Sequence, residues 1–527
     1  MNIQENPYHA QYGQQTPEQI YQTFDYDPYN INYQQMSVDQ WSQVPNNQSC
    51  YSQYWDNPEC FEPQNFARNT KSETSYYDVS YSIAFWINFA VTIVLIAFMI
   101  YSSTTAFKKI ASEIEKNPSP QNPVTDDKMQ PINLSAYKAP LLASLILCFI
   151  INTIHFVYAH MFSYQYIKFG MIIGVVISFL FCLFPVGAGF FYAFLFPLCT
   201  AVFSLFWYCL AKSRIPFSSQ IFKQTTTIIL HHPSIVVFCL FQTILDFALT
   251  LGYLYVCLVC NVLEYNPLWY VYCVFSYTWI TLTLKYVNYM TGAGLAASWY
   301  FLGNTPQYPK YPVLDSFKRA TTTSFGSACF ASLILAVIQA IRALINITTQ
   351  NQRDDNDREN HGSQIFLNVI RCMALCILDL LESVVRWMSR YALIYCSIYG
   401  VPYAEGCRRW AELNCHRFVN VLVDGCVIRD AINYHFIIFV AGSGLAGWAV
   451  ASGLFASASG PYIFMILMTV FFTMSSMMLI NEPILTISDT LLICFAENPE
   501  TLRTKDPNLY QVLCRTYSNQ LSQKIGH

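Results

Sequence analysis

Charge is what this chain has least of. Asp, Glu, Lys and Arg make up only 12% of its 527 residues, about half the ~25% of an average soluble protein. That shortage excludes an ordinary soluble globular protein. The net charge of −3 supplies no basic excess, so no nucleic-acid partner is expected. Also missing are a Gly-rich phosphate loop, an HExxH pair and a GxSxG elbow, which argues against an enzyme and leaves no cofactor to expect. His155, His160, His231 and His232 have no partners at ligand spacing, so no metal site is expected and they read as packing or boundary residues. The first 80 residues are polar and hold no secretory signal, so the first span is expected to start from a cytosolic N-terminus.

What is there in quantity is apolar sequence. Hydrophobic residues make up 54% of the chain, and apolar stretches of 18 or more recur from residue 80 to 483. Each is long enough to cross a hydrocarbon core of roughly 30 Å. The expected fold class is an all-α polytopic membrane protein with about ten transmembrane helices. The expected spans are 81–104, 140–162, 166–184, 187–211, 226–262, 268–302, 321–345, 372–401, 435–455 and 461–480. The fifth is too long for one straight helix, so a break near His231-His232-Pro233 or an amphipathic lead-in is expected. Residues 1–79, rich in Gln, Asn, Tyr and Pro, cannot bury enough apolar surface to fold and read as a disordered cytosolic tail. The transmembrane domain is then 80–483 and a cytosolic C-terminal tail 484–527. Most of the 19 cysteines lie inside apolar spans, where a free thiol acts as a small hydrophobe. That covers Cys257-Leu-Val-Cys260, which has CxxC spacing but no companion ligands.

With the N-terminus inside, the loops at 212–225, 303–320 and 402–434 are cytosolic and hold most of the loop Lys and Arg, as the positive-inside rule requires. The sequons Asn133-Leu-Ser135 and Asn346-Ile-Thr348 then fall outside, where glycosylation can reach them.

Three polar features stand out against the apolar background. Thr321–Ile345 opens on Ser324-Phe-Gly-Ser327 and closes on Gln339 and Arg342. Its small side chains allow another helix to approach closely. In span 372–401, Asp379, Glu382, Arg386 and Arg390 share one helical face. Ionisable groups at membrane depth face the bundle interior or a water-filled cavity. They serve either internal pairing, Glu382 with Arg386, or a solute or proton pathway in which Glu382 or Asp379 stabilises a cation. In span 268–302, Trp279, Tyr286 and Tyr289 lie on one face by spacings of seven and three, and aromatic faces attract quaternary ammonium. Lys285 stands beside them and needs a partner, for which Asp246 is the candidate.

Several short stretches resemble the choline transporter-like family, its fungal and protist branch above all. They are Arg214-Ile-Pro-Phe217, Thr291-Gly-Ala-Gly-Leu-Ala-Ala-Ser-Trp-Tyr300, Ser324-Phe-Gly-Ser327 with Ile338-Gln-Ala-Ile-Arg342, Arg390-Tyr-Ala392 with Ser397-Ile-Tyr-Gly400, and Ser488-Asp-Thr-Leu-Leu-Ile-Cys-Phe495. They stand in the family's order over about residues 210–500. The resemblance implies about ten spans and cytosolic termini. It also implies facilitative or proton-coupled movement of choline or an ethanolamine-like cation across a membrane, the plasma membrane first and an organelle membrane as the alternative. The candidate substrate-binding residues are Trp279, Tyr286, Tyr289, Asp379, Glu382, Tyr391 and Tyr395. Two places differ from the family's usual pattern: Ser389 replaces an Asn, and Cys415-His416-Arg417 stands in a normally small-residue stretch. The expected partners are a small choline-like organic cation and membrane lipids. The competing reading is a non-transporting membrane scaffold, a lipid-handling protein, or a subunit of a homo-oligomer or larger membrane complex.

Overall fold

The computed structural model describes residues 76–116, 137–187, 195–262, 268–303, 305–355, 361–414, 418–454 and 459–511. The sequence expectations for the first 75 residues, for Asn133-Leu-Ser135 and for Cys415-His416-Arg417 lie outside the described residues. In order, the helices are α1 (Val79–Lys116), α2 (Lys138–Met161), α3 (Ser163–Gly187), α4 (Leu195–Ala211), α5 (Ile215–His231), α6 (Ser234–Val262) and α7 (Leu268–Leu302). There follow α8 (Pro312–Thr321), α9 (Phe325–Asp355), α10 (His361–Tyr399), α11 (Tyr403–Asn414), α12 (Phe418–Leu454), α13 (Ser459–Glu497) and α14 (Pro499–Lys505). No strand occurs among the described residues. The chain is an all-α membrane protein.

Seven helices among the described residues are long and apolar enough to cross a membrane: α1, α2, α3, α6, α9, α12 and α13. Their outer faces are apolar. On α6, Leu240, Phe241, Ile244, Phe247, Leu251, Leu254 and Leu258 are all exposed, a patch far beyond what a water-facing monomer carries and suited to lipid. The count of ten expected from the sequence is thus reached only in part by length and apolarity. Two long helices fall short for a physical reason. Tyr and Thr lower the apolarity of α7, and Arg371, Asp379, Glu382, Arg386 and Arg390 lower that of α10. α7 is largely buried from Cys273 onward, whereas the first part of α10 is exposed at Met373, Ile377, Leu380 and Val384 and only its second part is buried.

α7 is the hub, packing against α1, α6, α8, α9, α10 and α13. From Met290 to Ser298 every residue is buried, which is possible because Thr291-Gly-Ala-Gly offers almost no side chain. A Cβ at Gly294 would lie 2.8 Å from the Ser316 hydroxyl and 3.2 Å from an Arg319 guanidinium nitrogen, so only glycine lets α8 sit this close. Across the α1–α6–α7 contact, the Ser276 hydroxyl gathers Asn88 at 3.0 Å, Thr92 at 2.7 Å and Tyr253 at 2.8 Å. Such interhelical hydrogen bonds in a dry interior bind helices that have no hydrophobic force between them.

Two boundaries differ from the sequence reading, and one expected break is present. Thr321 ends the short α8, and the next long helix starts at Phe325 after a turn. The break at His231-Pro233 is present, separating α5 from α6. The helix expected to stop at Ile480 continues through Pro483 to Glu497. Residues 484–496 are almost all buried, and that burial outweighs the hydrogen bond which Pro483 removes.

Just before α1, residues 77 and 78 form a strap across two helix starts. The Tyr77 amide donates to the Thr323 carbonyl at 3.1 Å. The Asp78 carboxylate accepts from the Ser327 hydroxyl at 2.7 Å and from the Tyr403 amide at 2.9 Å. A carboxylate at the N-termini of α9 and α11 is favoured by both helix dipoles. Asp78 adopts φ 55° to make these bonds, a left-handed conformation that Asp tolerates better than most residues.

At the other end of the chain, α14 folds back on α7. Tyr300 donates to the Asn498 carbonyl at 2.8 Å, and the Lys505 ammonium lies 3.3 Å from the centre of the Trp299 ring and bonds its carbonyl. Burial pushes the Lys505 pKa down to about 7, against about 10.4 for an unfolded lysine. Between those values the unfolded chain binds a proton that the folded one releases, so folding gains stability as pH rises through that window. Below pH 7 the penalty is complete. Lys505→Met is expected to narrow the difference between thermal midpoints measured at pH 6.5 and pH 9. An unchanged difference would show that Lys505 is not held in this dry position.

Candidate functional site

Side chains from α7, α10, α12 and α13 converge in the interior. α7 contributes Tyr286 and Tyr289, three residues apart and both buried. α10 contributes Ser389, Arg390 and Tyr391, α12 contributes Gly425, Cys426 and Arg429, and α13 contributes Asp489. The Arg429 guanidinium donates to the Asp489 carboxylate at 2.7 Å, with Asp489 only 3% exposed. Gly425 makes room: a Cβ there would stand 3.3 Å from the Asp489 carboxylate and 3.8 Å from the Tyr391 hydroxyl. Arg390 lies within electrostatic reach of Asp489, Tyr289, Tyr286 and Tyr391. Its Nε is buried with no hydrogen-bond partner, and so is the Tyr289 hydroxyl. Beside this cluster Asp424 holds Arg214 at 3.5 Å and the Ser218 hydroxyl at 3.3 Å, and Ser488 bonds Thr225 at 3.0 Å.

The sequence-predicted residues divide among separate places. Tyr286, Tyr289 and Tyr391 come together in the cluster just described. Trp279 does not join them. Seven residues earlier on the same face it is roughly 10 Å away along the helix, where its indole N–H donates to the Cys329 carbonyl at 3.1 Å and its ring packs edge-on against Phe85. The shared face is real, but its two ends meet different neighbours.

Asp379 and Glu382 lie on the α9–α10 seam. Glu382 is held between Arg342 at 2.8 Å and Arg386 at 2.6 Å, and Asp379, 66% exposed, also pairs with Arg342. Two guanidiniums and two carboxylates are paired there. Tyr395 stacks on Tyr399 at 5.8 Å, and Tyr399 donates to the buried carboxylate of Glu497. Lys285 pairs with Glu482 of α13 at 2.8 Å, not with Asp246. Asp246 instead accepts from Gln242, one turn away on its own helix, at 3.3 Å.

Sequence reasoning missed Arg429 and Asp489 as a pair. Arg429 stood in a run of basic residues that looked like a loop, and Asp489 lay beyond the expected last span. The signal was present in Ile484–Phe495, where Asp489 is the single charge in an otherwise uncharged run. Reading the stretch as a continued helix would have made Asp489 an intramembrane carboxylate in need of a cation.

Comparison with known proteins gives a consistent picture. The family described as plasma-membrane choline transporter matches residues 195–500, a range that takes in every residue of the cluster. The protein PNS1 of Debaryomyces hansenii is 25% identical over 421 residues, covering 71% of this chain and 76% of the relative. The protein PNS1 of Yarrowia lipolytica is 22% identical over 401 residues, covering 70% and 67%. A CTL-like protein of Dictyostelium discoideum is 26% identical over 325 residues, covering 60% and 55%.

Proposed function

This chain belongs to the choline-transporter family, and from that premise we propose that it moves choline or a related organic cation across a membrane by alternating access. The substrate place is the convergence of α7, α10, α12 and α13. Tyr286, Tyr289 and Tyr391 supply aromatic faces of the kind that attract quaternary ammonium, and Asp489 supplies the carboxylate. The observation that supports this place is the pair of Tyr286 and Tyr289 hydroxyls, both buried without a partner beside a charged pair in the apolar interior. A bundle that served only as a scaffold would gain by satisfying or removing such a group.

In this reading Asp379 and Glu382 fix α9 to α10 through Arg342, Trp279 fixes α7 to α9, and Tyr395 supports the Glu497 end of α13. The plasma membrane and cytosolic termini are the expected setting. Labelled choline uptake into proteoliposomes is the deciding measurement. Uptake above empty vesicles, competed by unlabelled choline, is expected. Monodisperse, thermally stable protein with no uptake above background would replace the carrier by a non-transporting membrane component.

A further inference from the structure

The ion pairs of the α7–α10–α12–α13 cluster leave Arg390 out. Asp489 is bonded to Arg429 at 2.7 Å, and Asp430, which also acts on Arg429, accepts from the Trp207 indole at 3.0 Å. Glu482 also acts on Asp489, but it is held by Lys285 at 2.8 Å. Arg386 and Glu382 near Tyr286 pair with each other at 2.6 Å. Among the described residues Arg390 forms no ion pair, and its Nε finds no acceptor. An uncompensated guanidinium at membrane depth is costly enough that a counter-ion is expected. The unsatisfied groups are also of one chemical kind. Arg390 Nε–H can only donate, and the Tyr289 hydroxyl, with no acceptor in reach, is free to donate. Donors around an unpaired guanidinium complement an anion, and a bare cation entering beside Arg390 would be repelled by it.

We propose that Arg390 and Tyr289 form an anion subsite beside the Asp489–Arg429 pair, filled during the transport cycle by a small carboxylate, phosphate or halide. The proposal rests on the carrier reading and narrows its substrate class. The anion is either the acidic group of a substrate that also bears a quaternary ammonium, so that the carrier takes a zwitterion, or an inorganic anion bound together with choline. A planar guanidinium suits the first source through paired hydrogen bonds to a carboxylate or phosphate. In either case the ligand brings Arg390 the counter-charge that no carboxylate among the described residues supplies as an ion pair.

The test uses the full chain in proteoliposomes. Labelled choline uptake is measured with unlabelled choline, glycine betaine or phosphocholine as competitor, and again with chloride replaced by gluconate on both sides. If the substrate carries the anion, betaine or phosphocholine competes about tenfold more strongly than choline, the factor that ~1.4 kcal/mol provides. If the anion is inorganic, the three compete alike and uptake falls several-fold without chloride. In the first case Arg390→Lys and Tyr289→Phe erase the advantage of the zwitterion. In the second they erase the chloride dependence.

Choline uptake with neither zwitterion preference nor chloride dependence overturns the subsite while leaving the carrier standing. If no choline enters, the carrier reading for choline fails. The subsite is then judged by thermal stabilisation of detergent-purified protein with phosphocholine, betaine or chloride. Stabilisation that Arg390→Lys abolishes supports it, and no stabilisation by any of the three overturns it.

Discussion

Replacing Asp489 by alanine is expected to destabilise the protein by about 3 kcal/mol, the lower end of the range for breaking a buried ion pair. The lower end applies because Arg429 keeps 25% of its side chain exposed while Asp489 keeps 3%. The loss has two sources. Arg429 gives up its one ion pair among the described residues, and Arg390, within reach of the same carboxylate, loses the negative charge that moderates it. Two guanidiniums then keep only Asp430, itself bonded to Trp207, as a nearby anion. Asp489→Asn should cost less, because the amide keeps the shape and one oxygen acceptor. The double replacement Asp489→Leu with Arg429→Met should recover much of the loss by removing both charges together. The thermal midpoint of monodisperse protein in detergent reads all three. Alanine and asparagine variants melting like the parent, with no recovery in the double variant, would show that the pair is not buried as described. A fixed anion requirement would appear in the same series, since chloride or phosphate should raise the midpoint of Asp489→Asn less if Arg390 does not face the pair.

The membrane class was legible because it rests on composition and on runs of apolar residues, which no tertiary contact can disguise. Two helices were harder. α7 and α10 are more polar than the seven clear spans, yet they were placed as helices because their aromatic and charged residues recur at helical spacing. The candidate site was legible by half. Tyr286, Tyr289 and Tyr391 lie on helices whose faces the spacing defines, and they meet. Trp279 shares that face but sits two turns away against other helices, which periodicity cannot report. Asp379 and Glu382 looked available because their partner Arg342 lies on another helix, about forty residues away in sequence. Asp489 was hidden by Pro483. A proline after a long apolar run normally ends a helix, whereas here the buried positions beyond it continue the same inner face.

Gly326 carries the other large effect. The sequence reading took it for one of the small residues that let another helix approach closely. The structure puts something else against it. A Cβ at Gly326 would stand 2.3 Å from the Tyr77 carbonyl and 2.4 Å from the Asp78 carbonyl, well inside contact distance and against backbone that cannot rotate away. The first carbon is therefore the one that clashes, so Gly326→Ala and Gly326→Leu are expected to behave nearly alike. Either must push residues 77 and 78 off the starts of α9 and α11. Overpacking of this kind costs about 1–3 kcal/mol. Loss of the Asp78 hydrogen bonds adds about 1.5–3 kcal/mol, as bonds to a charged acceptor do. Asp78→Ala removes the same bonds without the clash and should reproduce the second part alone. Amide hydrogen exchange locates the change, because the Tyr403 N–H bonds to Asp78 at 2.9 Å and should lose protection in all three variants. A graded loss, mild for alanine and severe for leucine with Tyr403 still protected, would restore the helix-packing explanation. With a strap at its start, α1 is tied to α9 and α11 by the residue just before it, Asp78, so any movement that separates those two helix ends must either carry α1 along or break the Asp78 bonds.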